Sequence, residues 1–123
     1  MGPARPTVAG MTETTNATVL AVEQLRDGNT FVGADHGDVP VSFILDRSEP
    51  GGGPALHRHT YDEVWIVQEG NATFTAGDRT LAAGPGSIVV VRAGTPHRFT
   101  NTGAIPMRMV CIHTSATMRT EWL

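Results

Sequence analysis

The sequence predicts an all-β domain, a sandwich or barrel of many short strands, and three observations carry that prediction. Short apolar runs recur from Thr18 onward, and nearly all are bounded by Gly, Pro, Asn or Asp. The 14 glycines and 8 prolines tilt the composition toward turns and away from long helices. The runs themselves alternate or are β-branched, and are too short to be helices.

At 123 residues the chain is one domain's worth, with hydrophobic content of 40% and charged content of 17% in the globular range. A net charge of -3 without any basic block argues against nucleic acid or an anionic membrane as partner, and leaves a small-molecule substrate. No apolar run approaches the roughly 20 residues of a membrane span. Cys111 is the single cysteine, so no internal disulfide forms. The first ten residues lack the apolar core of a secretory signal, so a cytoplasmic location is expected; Met11 is an alternative start.

Residues 1–17, rich in Thr, Pro, Gly and Ala, read as a flexible arm ahead of a single domain at 18–123. Such an arm is either a free tail or a strand that pairs with a neighbouring subunit. Thr18 to Leu25 and Thr30 to Val32 read as strands, followed by a loop from Gly33 to Asp38 that places His36 at the surface. Val39 to Asp46 alternates as a strand, with Val41, Phe43 and Leu45 on one face and Ser42, Ile44 and Asp46 on the other. Arg47, just past it, is either a surface charge or a clamp for a substrate carboxylate.

The stretch G-G-G-P-A-L-H-R-H-T-Y-D-E-V-W-I-V-Q-E-G, Gly51 to Gly70, holds the chemistry. Residues an even number apart in a strand share a face, so His57, His59 and Glu63 look the same way. Two imidazoles and a carboxylate suit Fe(II), Mn(II), Ni(II), Co(II) or Zn(II). Val64 to Val67 continue the stretch as an apolar strand. Gly70-Asn71 reads as a two-residue hairpin setting Val67 opposite Phe74 and Trp65 opposite Ala76, so that Phe74 and Ala76 face the metal.

Gly77-Asp78 marks another tight turn, bringing Leu81 into the same layer, and Ser87 to Val91 is the next strand. His97 opens a strand to Asn101 and offers a fourth ligand from across a sheet, with Phe99 on its face. In Met107 to His113 either the odd face (Met107, Met109, Cys111, His113) or the even face (Arg108, Val110, Ile112) looks inward, since neither is uniformly apolar. The tail T-M-R-T-E-W-L forms a helical turn or a covering segment.

At these residues the chain resembles the cupin superfamily. The first cupin motif, G-x5-H-x-H-x3-E-x6-G, is met by Gly51, His57, His59, Glu63 and Gly70. The second, G-x5-P-x-G-x2-H-x3-N, is met by Gly86, Gly94, His97 and Asn101, with Arg92 where the family usually has proline. That departure touches a turn position and no ligand.

The resemblance implies a jelly-roll barrel of two antiparallel sheets with a divalent transition metal, Fe or Mn before Zn or Ni, held at one end by His57, His59, Glu63 and His97. An octahedral ion would keep two positions open. Phe43, Trp65, Phe74, Phe99 and Met109 are the expected substrate pocket, and Tyr61 and Glu63 the catalytic candidates. Tyr61 is either a proton donor to substrate or a residue of the barrel mouth; Asp62 and Arg58 have opposite parity and point outside. The expected function is a metal-dependent, dioxygenase-type oxidoreductase acting on a small molecule, as a homodimer. The alternatives are a metal-dependent isomerase, lyase or polyketide-cyclase-type enzyme, a non-catalytic small-molecule or sugar binder, and a metal-free barrel whose four polar groups bond one another.

Overall fold

A computed structural model describes residues 16–123; the arm expected over residues 1–17 lies almost wholly outside them. Ten strands follow in chain order: β1 (Thr30–Val32), β2 (Ser42–Ser48), β3 (His57–Arg58), β4 (Glu63–Glu69), β5 (Ala72–Ala76), β6 (Arg79–Ala83), β7 (Ile88–Val91), β8 (His97–Asn101), β9 (Met107–His113) and β10 (Glu121–Trp122). They form two five-stranded sheets, β1-β2-β9-β4-β7 and β10-β3-β8-β5-β6, and every pairing is antiparallel. The predicted all-β, two-sheet jelly roll is the fold of the chain. Among the described residues no helix is long and apolar enough to cross a membrane.

The period-2 pattern decides what fills the space between the sheets. On β4 the inward side chains are Glu63, Trp65 and Val67; on β9 they are Met107, Met109, Cys111 and His113. Antiparallel partners share a face, and Glu63 pairs with His113 while Trp65 pairs with Cys111. Once Glu63 looks inward, the odd face of β9 must follow, which decides between the two faces the sequence left open. Trp65 and Phe74 meet across the core with ring centroids 4.7 Å apart, and Phe99 stands edge-on to Trp65 at 5.5 Å.

Three expectations are corrected. Gly70-Asn71 joins no hairpin: β4 pairs with β7 and β9, whereas β5 pairs with β6 and β8, so the turn carries the chain from one sheet to the other. Phe74 therefore lies opposite Phe99 and Leu81, and Ala76 opposite His97. A bulge between Val67 and Glu69 precedes the crossing, and Gly70 takes φ +82°, where a Cβ would lie 2.9 Å from Met107 Cα. The same dipeptide chemistry serves a hairpin or a sheet switch, and only the partner strands distinguish them.

The second correction is Thr18 to Leu25, which holds only a short 3-10 turn at Val22–Gln24 and no strand. Its apolar residues Leu20, Val22 and Leu25 line a shallow outer groove with Phe31, Phe43 and Leu45. The third is the orientation of β2, which runs Ser42–Ser48 and not from Val39 to Asp46. Ile44, Asp46 and Ser48 face the barrel interior, while Phe43 stacks on Phe31 outside it at 4.9 Å. Alternation shows that a strand has two faces but not which is inside.

Other expectations match. Gly77-Asp78 closes the β5–β6 hairpin, with Ala76 opposite Arg79, and Leu81 packs on the core. The tail is a covering segment: β10 pairs with β3 at the open end of the second sheet. His36 is outside the histidine cluster as expected, but the segment is a 3-10 turn, Gly33–His36, and His36 is half-buried, stacked on Phe31 at 4.6 Å; Arg47 pairs with Glu49 at the surface.

Candidate metal centre

The expected single strand carrying His57, His59 and Glu63 is not formed: β3 ends at Arg58, residues 59–62 bend, and Glu63 opens β4 in the other sheet, so these side chains converge because two sheets face each other and not because they share one strand face. Glycines bring the ligand-bearing segments together. Gly53 passes so close to β8 that a Cβ there would lie 1.9 Å from the Phe99 carbonyl oxygen. Gly51 donates to the Asn101 carbonyl and Asn101 donates back to Gly52, each at 2.8 Å, so the lead-in is zipped to β8 before β3 begins. His57 then pairs directly with His97. Beyond β3, the Gly94 N–H donates to the His59 carbonyl at 2.8 Å, tying the turn before β8 to the second histidine. That turn closes through Thr95 N–H to the Arg92 carbonyl at 3.1 Å, and the exposed Arg92 side chain stands 3.6 Å from Asp62. Arginine in place of the usual proline keeps the turn.

One ligand atom from each of His57, His59, Glu63 and His97 lies within 4.8 Å of the others, and all four residues are buried. The three histidines share one arrangement. Nδ1 of His57 faces the Ala55 carbonyl at 2.7 Å, that of His59 the Arg119 carbonyl at 2.8 Å, and that of His97 the Thr95 carbonyl at 2.8 Å. A carbonyl only accepts, so each Nδ1 carries a hydrogen and each ring aims its Nε2 at the cluster, where a neutral imidazole offers a lone pair. His59 Nε2 is buried without a hydrogen-bond partner among the described residues, and Glu63 Oε1 lies 3.2 Å from it and 3.1 Å from His97 Nε2. Acceptors packed at these distances need a positive charge among them, a proton or a metal ion. The donor set fits a divalent transition metal.

The other carboxylate oxygen is held separately. Trp65 Nε1–H donates to Glu63 Oε2 at 2.6 Å, and His113 Nε2 stands 3.3 Å from the same atom. Tyr61 Oη lies 2.7 Å from His113 Nδ1, and the Arg119 N–H donates to that hydroxyl at 3.2 Å. If the hydroxyl donates to Nδ1, His113 keeps its hydrogen on Nε2 and offers it to Glu63, the reverse of the three ligand histidines. Burial alone would raise the Glu63 carboxyl, but His113, His59 and His97 outweigh it and hold the group well below the usual carboxylate range. Burial works to lower His59, yet Glu63 and the Arg119 carbonyl leave it raised; in His57 burial prevails and the value falls.

The cluster opens into a cavity of about 330 Å³ lined by Ile44, Trp65, Phe99, Cys111, Met118 and Trp122, with Asp46, Ser48 and Thr120 as polar members beside the histidines. Of the expected pocket residues, Trp65 and Phe99 line it. Phe74 and Met109 are fully buried behind that lining as core, and Phe43 is outside the barrel. Tyr61 does not line the cavity either: its ring stacks on His59 at 5.0 Å and its hydroxyl serves His113. The sequence reading missed Asp46, Ser48, Met118 and Trp122, and left His113 undecided. The parity of His113 with Cys111 was the available signal, but it needed the β4–β9 register to be read.

The family model of the cupin domain matches residues 45–113. A cupin 2 domain-containing protein from Halorhodospira halophila is 29% identical, with a TM-score of 0.67 over 76% of this chain and 66% of that one. Oxalate decarboxylase from Bacillus subtilis shares the fold at 23% identity, with a TM-score of 0.65 over 68% of this chain and 24% of its own. By sequence, mannose-1-phosphate guanylyltransferase 2 of Escherichia coli O157:H7 is 30% identical over 90 residues, 72% of this chain but 18% of that enzyme. The chain spans less than half the length of the curated relatives it matches.

Proposed function

Since the chain belongs to the cupin family, we propose that it is a metal-dependent enzyme acting on a small organic molecule, of the dioxygenase type, with iron or manganese as the metal. The observation that carries the reading is the inward convergence of three histidine Nε2 atoms and Glu63 Oε1 at the end of a largely apolar cavity. His57, His59, Glu63 and His97 would hold the ion, which when bound supplies Lewis-acid polarisation of a substrate oxygen and a site for dioxygen. The Bacillus subtilis oxalate decarboxylase that shares the fold has Mn(II) centres, which supports manganese as a candidate.

The protein's own residues divide the remaining work. Three backbone carbonyls orient the histidines, Trp65 and His113 orient Glu63, and Ile44, Phe99, Met118 and Trp122 exclude water around the substrate. A second copy of the chain is the other proposed partner. The outer face of the first sheet is apolar at its β7 edge, where a solvated face would alternate to polar, with Ile88 66% and Val90 58% exposed, while Arg47 and Arg108 pair on the same face farther along.

The test is elemental analysis of protein purified without added metal, beside a His59→Ala control, with oxygen uptake measured against diketones, flavonoids and thiols. Near-stoichiometric Fe or Mn lost in the control, with oxygen consumed, is the expected result. Zn or Ni without uptake would move the assignment to isomerase, lyase or cyclase chemistry, and absence of any metal would overturn the site.

A further inference from the structure

The cavity holds one carboxyl besides Glu63, and the metal site makes no use of it. Asp46 lies on the inward face of β2 between Ile44 and Ser48, and Ser48 Oγ donates to its Oδ2 at 2.8 Å. Asp35, Glu49, Asp62 and Glu121 each stand beside an arginine, whereas no cation pairs with Asp46 among the described residues. The chain contains no lysine, and no arginine lines the cavity. Burial pushes the Asp46 carboxyl above its ordinary value, and the Ser48 bond only partly opposes the rise. Asp46 Oδ1 makes no hydrogen bond among the described residues and is not sealed off from solvent, so it is open to a molecule in the cavity.

Its position suggests the use. Asp46 pairs with Met109, which pairs with Val67, while Glu63 pairs with His113. The two carboxyls are therefore four residues apart in level, about 13 Å at ~3.3 Å per residue. Ile44, Cys111 and Trp65 pair in a row between them and form an apolar band. The volume of about 330 Å³ is roughly twice the ~150 Å³ that accommodates benzene in an engineered apolar cavity.

We propose that Asp46 and Ser48 form a second binding subsite, which reads hydrogen-bond donors on the end of the substrate remote from the metal. The substrate is then a ring-sized molecule with oxygen donors at one end and a hydroxyl or amino group at the other. It is not a dicarboxylate, because a carboxylate tail would meet Asp46 with no cation to compensate either charge. This substrate class rests on the reading of His57, His59, Glu63 and His97 as a metal site.

The test is calorimetric titration of the protein with its co-purified metal, under argon, with three catechols sharing one chelating head. Their tails are 2-aminoethyl, 2-hydroxyethyl and 2-carboxyethyl. Binding of the amino and hydroxyl tails at least about 10-fold more tightly than the carboxyl tail is expected. In Asp46→Asn the amine-over-carboxylate ratio should collapse toward one. Equal or tighter binding of the carboxyl tail in the unsubstituted protein, an unchanged ratio in Asp46→Asn, or no binding of any of the three would overturn the subsite. The comparison within the unsubstituted protein does not depend on how the variant folds. If chelator-treated protein binds all three as before with the tail preference intact, the subsite stands and the metal reading fails.

Discussion

Glu63 shows how much of this site is decided around a single residue. Its Oε1 faces His59 and His97 while Trp65 and His113 engage Oε2, so the carboxylate meets the cluster through one oxygen. Trp65→Phe keeps an aromatic ring, though a smaller one, and removes the N–H, and should weaken metal affinity by about 10–100-fold in competition with a chelator. An unchanged affinity would mean that packing alone holds Glu63. Asp46 offers a prediction of opposite sense. Its pKa is raised in the folded state, so the folded state holds that proton more tightly than the unfolded one. The stabilisation is complete below the ordinary carboxylate value and is lost as pH rises through the raised value. Asp46→Asn should therefore stabilise the protein near pH 7, by a few tenths to about 1 kcal/mol because the group is only partly buried, and the gain should vanish in acid. Thermal melts at pH 3 and pH 7 decide this; a loss of stability at pH 7 would show that the Ser48 bond outweighs burial.

At the scale of elements, the crossing at Gly70-Asn71 sets the architecture. It sends β5 into the second sheet, so that Phe74 meets Trp65 across the core and not along a hairpin. Gly70→Ala places a methyl group at φ +82° and 2.9 Å from Met107 Cα, and should cost about 1–3 kcal/mol in urea unfolding. A change under a few tenths of a kcal/mol would show that the crossing can shift at no cost. The segment running from Met118 into β10 couples the cavity wall to a candidate ligand. Met118, Thr120 and Trp122 line the cavity, while the Arg119 carbonyl between them accepts from His59. A substrate filling the cavity and a metal held by His59 would therefore press on the same few residues.

Over the whole molecule, metal binding at the proposed centre would be linked to folding, because His57, His59, Glu63 and His97 come from segments that only the two-sheet arrangement brings together. At a metal concentration 100 times Kd the melting free energy should rise by about 2.7 kcal/mol, and that rise should be absent in His59→Ala. A melt insensitive to metal would count against the centre. The apolar outer face of the first sheet leads to an independent prediction for the proposed second copy. Ile88→Glu combined with Val90→Arg should halve the sedimenting mass and leave metal content unchanged, since both side chains point away from the cavity. Sedimentation of the unsubstituted chain as a monomer would remove the dimer from the reading.

The sequence by itself determined the all-β class, the strand positions around both motifs, and which four side chains can converge. The class and the strands depend on period-2 alternation and local turn chemistry, which are properties of neighbouring residues; the four ligands were legible only through the resemblance of the two motifs, because His57 on β3 and Glu63 on β4 belong to different sheets and share no strand face. Only the tertiary structure decided that Phe43 faces out and Asp46 in, that His113 backs Glu63, and that Gly70-Asn71 switches sheets. Each of those turns on which strand lies beside which: parity assigns residues to two faces, and a face becomes the inside only when another sheet covers it.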